Sequence, residues 1–390
     1  MSDEQRLSEA LREVPVEDAG ARARALRVVA AAYREREPQP ARRAWVPVVA
    51  LASCVLAAAI ALAAVDEPGD AVARWVRSVL GVTGHEDARP ALVRVPGGGR
   101  LLASTGGGAW VVGADGARRR LGGYDGASWS PHGRFAVVWR GRELSAVEPD
   151  GSVRWVLPAP ARIRVARWNE VDGYRIAYIA GRDLRIVAGN GFDDRRLGRA
   201  HPRVAPAWRP DLEHVVAYAD ARARVRVIAV DSGRELWRTG ALRGLRELAW
   251  SPGGRRLLAA TERRLVLYSR SGRRLWSRAL PAGLVATDVA WAPRGGRLAI
   301  VRRGARRSDV TLLDRGGRSR NLFTGPGRFG AVAWSPTGRR LLVPWPEADQ
   351  WLFLAAGSGR TTAVANIARQ FAGGPGRRAF AHTVEWCCPP

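Results

Sequence analysis

Five histidines (His85, His132, His201, His214, His382) and three cysteines (Cys54, Cys387, Cys388) are the residues whose types most readily do chemistry. The histidines are scattered, with no partner at the spacing of a metal-ligand pair or of a nucleophile, base and orienting acid. His85-Glu86-Asp87 sets possible ligands side by side, but three adjacent residues in a turn read as solvent-facing punctuation. No Gly-x-Ser-x-Gly, His-Glu-x-x-His or Asp-x-Asp-x-Asp-Gly run occurs. All 63 basic residues are arginine, so a Walker lysine, a Schiff base and a lysine general base are excluded. The expectation is a chain with no catalytic residue, no metal-ligand set and no cofactor. Cys387-Cys388 could close as a vicinal disulfide in an oxidising compartment, but the reading favours two reduced, tucked-in thiols.

The strongest pattern is structural. Six segments share a phrase: Trp129-Ser130-Pro131-His132-Gly133-Arg134, Trp168-Asn169-Glu170-Val171-Asp172-Gly173, Trp208-Arg209-Pro210-Asp211, Trp250-Ser251-Pro252-Gly253-Gly254-Arg255, Trp291-Ala292-Pro293-Arg294-Gly295-Gly296 and Trp334-Ser335-Pro336-Thr337-Gly338-Arg339. Their tryptophans lie 39, 40, 42, 41 and 43 residues apart, the length of one four-stranded propeller blade. Apolar residues lead into each tryptophan, Pro and Gly close a turn, and a β-rich run follows. A second mark recurs at Asp115-Gly116, Asp150-Gly151, Asn190-Gly191, Ser232-Gly233, Ser271-Gly272, Arg315-Gly316 and Ser358-Gly359, the signature of hairpin turns that need positive φ. Seven such marks predict a mainly β, seven-bladed propeller over 91–390, with six blades as the alternative. In the first unit Arg94-Val95-Pro96 stands in for the tryptophan phrase, and residues 371–388 are expected to add a strand or two against it, closing the ring.

The phrase resembles the WD40-like repeat of TolB-type propellers, in which Trp-Ser-Pro-Asp-Gly precedes an apolar strand. Its aspartate survives at Asp211 and, displaced by one residue, at Asp172; His132, Gly253, Arg294 or Thr337 stands there elsewhere. The resemblance implies fold over most of 91–365, and no partner site of that family carries over residue by residue. A large flat side chain at one position per repeat predicts inter-blade packing for the tryptophans, with ligand stacking as the minor reading. Trp155, Trp237 and Trp276, after the hairpin turns, are read the same way.

Ahead of the repeats, residues 45–65 hold no charge. At about 1.5 Å per residue such a helix spans roughly 30 Å, enough to cross a bilayer. Arg27, Arg34, Arg36, Arg42 and Arg43 precede it, whereas Asp66, Glu67 and Asp70 follow, so the predicted orientation has the N-terminus cytoplasmic and the propeller outside. Leu51-Ala52-Ser53-Cys54 resembles a lipobox, Ala61-Leu62-Ala63 a signal-peptidase site and Arg42-Arg43 a twin-arginine signal, and these are the competing readings of the stretch. Residues 1–44 carry two short amphipathic helical patterns, broken by Pro15 and Pro38. Residues 66–90 form a juxtamembrane linker with a helical stripe of Val72, Trp75, Val76, Val79 and Leu80.

The net charge of +27 favours anionic partners, yet arginine without lysine is equally the mark of a GC-rich coding bias, and most arginines are expected on solvated strand faces. Nucleic acid is not expected in the compartment the orientation predicts. The resulting function is a membrane-anchored, extracytoplasmic, non-catalytic module that binds a protein or an anionic envelope polymer. A small cytoplasmic region, one span and a large outer domain also resemble the layout of membrane-bound anti-sigma factors, which would place a cytoplasmic partner on residues 1–37. An envelope hydrolase is the third reading. Protease shaving of intact cells checks the orientation: a large fragment starting beyond residue 65 should be degraded, and its survival would reverse the assignment.

Overall fold

The computed structural model describes residues 88–169, 171–372 and 379–388. The two N-terminal helical patterns, the apolar stretch 45–65, the linker helix and His85 lie outside the described residues. Among the described residues no helix is long and apolar enough to cross a membrane.

Seven four-stranded antiparallel sheets follow one another around a ring. Blades 2 to 7 are continuous in sequence, spanning 126–158, 163–199, 207–241, 245–279, 285–326 and 333–364. Blade 1 is composite: its outer three strands are Arg100–Thr105, Gly108–Val112 and Arg118–Gly122, and its innermost strand is Thr383–Cys387 from the far end of the chain. Leu101 pairs with Trp386 in that junction, the same register by which Trp129 pairs with Ala136 and Trp250 with Leu257. The missing tryptophan of the first repeat is therefore Trp386, not a substitute at Arg94-Val95-Pro96. The six-bladed alternative is overturned by the sheet count.

Each phrase builds the same turn after the inner strand. The hydroxyls of Ser130, Ser251 and Ser335 accept the backbone N–H of Phe135, Arg256 and Arg340 at 3.0, 3.2 and 3.0 Å, holding the tight turn that the glycine closes. The hairpins between third and fourth strands carry the second mark, with positive φ at Gly116, Gly151, Gly191, Gly233, Gly272 and Gly359. In blade 6 the positive φ falls at Gly317, one residue beyond the position expected from sequence.

No blade has a core of its own. The buried apolar residues form seven clusters, and each joins two neighbouring blades. Alternation along the strands does this: in Arg256–Thr261, Leu257 and Ala259 face blade 4 while Leu258 and Ala260 face blade 6. Both faces are buried, so the strands read as continuous apolar runs rather than as alternating ones.

A polar ring reinforces the seams. At six of the seven seams an outer-strand side chain donates to a hairpin carbonyl of the next blade: Arg119 to Asp150, Trp155 to Gly189, Arg195 to Val230, Trp237 to Arg270, Arg278 to Gly317 and Arg320 to Gly357. A Cβ at Gly191 would lie 2.8 Å from the Trp155 ring and one at Gly272 2.7 Å from Trp237, so these turns are glycine for packing as well as for φ. At the last seam, blade 7 to blade 1, residues 88–95 and the short helix Ile367–Gln370 fill the gap, with Leu92 N–H donating to Gln370 Oε1 at 2.9 Å. Trp386→Ala should cost about 3–5 kcal/mol, because it empties the closing seam. Arg320→Ala removes one clasp and should cost about 1 kcal/mol. Chemical unfolding followed by far-ultraviolet circular dichroism ranks them, and equal midpoints for the two variants would contradict closure through Trp386.

Candidate functional site

In an up-and-down sheet the first and third turns emerge at one end of the blade, so the tryptophan phrases and the glycine hairpins share one face, here called the turn face. The seven inner-strand tryptophans ring the channel mouth on that face. Three of them tie seams directly: Trp208, Trp291 and Trp334 donate their indole N–H to the carbonyls of Arg167, Ala249 and Ala290 in the preceding blade, at 2.9, 3.1 and 2.9 Å. Each acceptor is the residue just before that blade's own tryptophan. The packing role expected for the tryptophans is thus what the structure shows at these seams.

Over three of the rings lies an arginine from the preceding blade: Arg100 on Trp129 at 5.6 Å, Arg209 on Trp250 at 5.9 Å and Arg297 on Trp334 at 5.5 Å. Arg100 and Arg297 also donate to Gly133 and Gly338 carbonyls at 3.0 and 2.8 Å. Arg209 is fully buried and is neutralised by Asp211 and Glu213 of its own turn. The sequence reading of most arginines as solvated strand faces did not single these out; for Arg100 and Arg297 the available signal was an arginine directly after a phrase glycine.

Among the described residues, charged groups on the inner strands pair with one another. Glu385 accepts Trp129 N–H at 2.8 Å and pairs with Arg167 at 3.4 Å, joining blades 1, 2 and 3. Asp288 accepts Val332 N–H at 2.6 Å and is hydrogen-bonded to Glu247. Burial, then the neighbouring Asp288 charge, pushes Glu247 well above the ordinary carboxyl value, and burial also raises Asp288. The pair holds a proton where exposed carboxyls have lost theirs. These groups staple the inner strands of blades 1 to 3, and of blades 5 to 7, to one another.

His214 is the histidine for which sequence spacing showed no partner and the fold supplies two. Its Nε2 meets Asp172 at 2.6 Å and its Nδ1 meets Asp231 at 2.5 Å, while Arg175 donates to Asp231 at 3.0 Å. Asp172 belongs to the phrase of blade 3 and His214 to the turn of blade 4, 42 residues apart, so only the ring brings them together. Of the other described histidines, His132 is exposed in the turn of blade 2, and His201 and His382 make only local backbone contacts. Cys387 and Cys388 are joined, with sulfurs 1.93 Å apart, where reduced thiols were expected; they lie over the blade 2 turn at Gly133. Among the described residues no group of His, Cys, Asp or Glu could hold a metal ion.

At one seam several departures coincide. Between blades 2 and 3 the register position held by Arg100 and Arg297 elsewhere is Phe135, which stacks on Trp168 at 6.3 Å and 18°. The blade 3 phrase has no proline, its turn, like that of blade 4, is one residue longer than in blades 2, 5, 6 and 7, and Trp168 donates its N–H to Gly173 of its own turn at 2.7 Å instead of to blade 2. There the seam gapes into a groove of about 710 Å³, floored by Phe135, Trp155 and Trp168 and flanked by Tyr174, which is 65% exposed.

No family model matches this chain, and no curated protein matches it. Solved structures do. The β-propeller domain of Cps50 (Swd1) from Myceliophteria thermophila superposes with TM-score 0.54 at 15% identity, covering 72% of this chain and 97% of that one. The fold is that of WD40-type seven-bladed β-propellers. Hydrazine synthase of Kuenenia stuttgartiensis (TM-score 0.49, 15% identity, 59% and 75% covered) and a chain of a mitotic checkpoint complex (0.49, 15%, 61% and 74%) align more loosely. At these identities the likeness concerns fold alone.

The histidine clasp yields a pH dependence. Burial alone would lower the His214 pKa, but the hydrogen bonds to Asp231 and Asp172 outweigh it and raise it above the ordinary 6.5. A raised histidine contributes stability that is complete below about pH 6.5 and is lost as pH climbs through the folded value. The His214 ring protons should titrate above the free-histidine midpoint, Asp172→Asn should bring that midpoint down, and melting temperature should fall over the same window in wild type but not in His214→Gln. A midpoint at or below that of free histidine would contradict the clasp.

Proposed function

We propose that this chain is a non-catalytic interaction module whose partner docks on the turn face of the propeller. The observation that carries the reading is the concentration on that face of the tryptophan collar, the channel mouth and the seam groove, all held by stapled blades. Rigid scaffolding with variable turns is how propellers present binding surfaces. The polar groups that could do acid-base work are engaged in holding blades together: His214 bridges two carboxylates, Glu385 ties three blades and Asp288 holds a backbone N–H of blade 7. In this reading residues 45–65 anchor the module in a membrane, with the propeller on the extracytoplasmic side; the support is the uncharged stretch itself and the arginines before it.

Photo-crosslinking in cells tests the docking face. A crosslinking amino acid at the exposed turn-face positions His132, Arg294 or Thr337 should give discrete partner adducts, whereas Arg182 and Arg263 on the opposite face should not. Adducts confined to the opposite face would overturn the assignment.

A further inference from the structure

We propose that the groove between blades 2 and 3 is a recognition site for an acidic peptide segment of the partner that carries a bulky apolar side chain next to a carboxylate. This rests on the interaction-module reading and names what that module binds. Three departures from the repeat coincide at this seam: phenylalanine in place of the stacked arginine, a longer proline-free turn, and a tryptophan that bonds its own turn rather than the preceding blade. Together they leave a groove of about 710 Å³, the size of a pocket that takes a few side chains.

The floor is aromatic and already organised. Trp168 is 4% exposed and locked by its bond to Gly173, and Trp155 is locked by its 2.9 Å bond to Gly189. A ring or long aliphatic chain entering the groove therefore meets rigid faces and costs little ordering of the site.

The rim is cationic. Exposed Arg134 makes no ion pair among the described residues, Arg154 is paired with Glu148 while 60% of its side chain stays exposed, and exposed His132 stands next to them. The one described carboxylate lining the groove, Asp172, is spent: its Oδ1 accepts Tyr174 N–H at 2.9 Å and its Oδ2 holds His214 at 2.6 Å. An incoming carboxylate meets the Arg134 guanidinium, which no described acid pairs, and a basic segment would meet like charge. An anionic peptide is thus the fit, and the apolar floor asks it for a large side chain.

Fluorescence anisotropy tests this with the full-length chain dispersed in nanodiscs of neutral phosphatidylcholine. The probe is a fluorescein-labelled peptide of about eight residues, glutamates and aspartates flanking one phenylalanine. Three counterparts carry serine for the phenylalanine, glutamine for the acids, or lysine for the acids. The parent peptide should bind, and each replacement should weaken it about tenfold or more. Arg134→Glu and Tyr174→Ser, both at exposed positions, should each weaken binding at least about threefold, while Arg263→Glu on the opposite face, with the same change in charge, should stay within about twofold. Equal weakening by Arg263→Glu would mean diffuse electrostatics and overturn the site. So would binding that survives loss of the phenylalanine, or self-association of the chain that Arg134→Glu abolishes, which would make the occupant a second copy. If the peptide fails to bind while turn-face crosslinks persist, the groove assignment falls and the interaction module stands.

Discussion

Every blade of this ring has two apolar faces and no way to cover either alone. Leu257 and Leu258 are neighbours in one strand, yet they belong to different cores, one shared with the blade before and one with the blade after. Burial therefore exists only between blades, and a sheet removed from the circle would expose both sides. This constraint explains why the chain gives its first blade an inner strand from residues 383–387: an open ring would leave a seam uncovered and a strand edge unpaired.

Polar chemistry follows the same geometry. The side chains that looked most available for reaction or for solvent serve the seams instead. Outer-strand arginines and tryptophans reach to the next blade's hairpin carbonyls, inner-strand tryptophans reach back to the preceding blade, and Glu385, Asp288 and His214 bridge elements that are far apart in sequence. Each bond is modest, about 1 kcal/mol net. Their value lies in repetition around a closed figure, where each clasp also sets the angle at which the next blade meets its neighbour.

Against that uniformity the seam between blades 2 and 3 stands out by its chemistry. It brings together a phenylalanine stacked on the ring, a proline-free turn and an indole bonded within its own turn, and a groove opens there. Repeated folds take their stability from the residues that recur, so the positions that break the rule are free to be shaped by binding.

Much of the architecture was legible in order along the chain. Tryptophans about forty residues apart and seven glycine hairpins announce seven blades, because each unit solves the same local problem with the same turn. Trp386 was not legible as a seventh member, since it lies outside the rhythm and finds its register only when the ends of the ring meet. Nor was the His214 clasp, whose carboxylates come from turns 42 and 17 residues away. Phe135 stands, with Val215, where the other blades have arginine, but that it opens a groove depends on which way Trp168 turns. Local turn chemistry and strand alternation are properties of short segments and are written in sequence. Which side chain closes a seam, and which seam stays open, is decided only where two distant segments are pressed together.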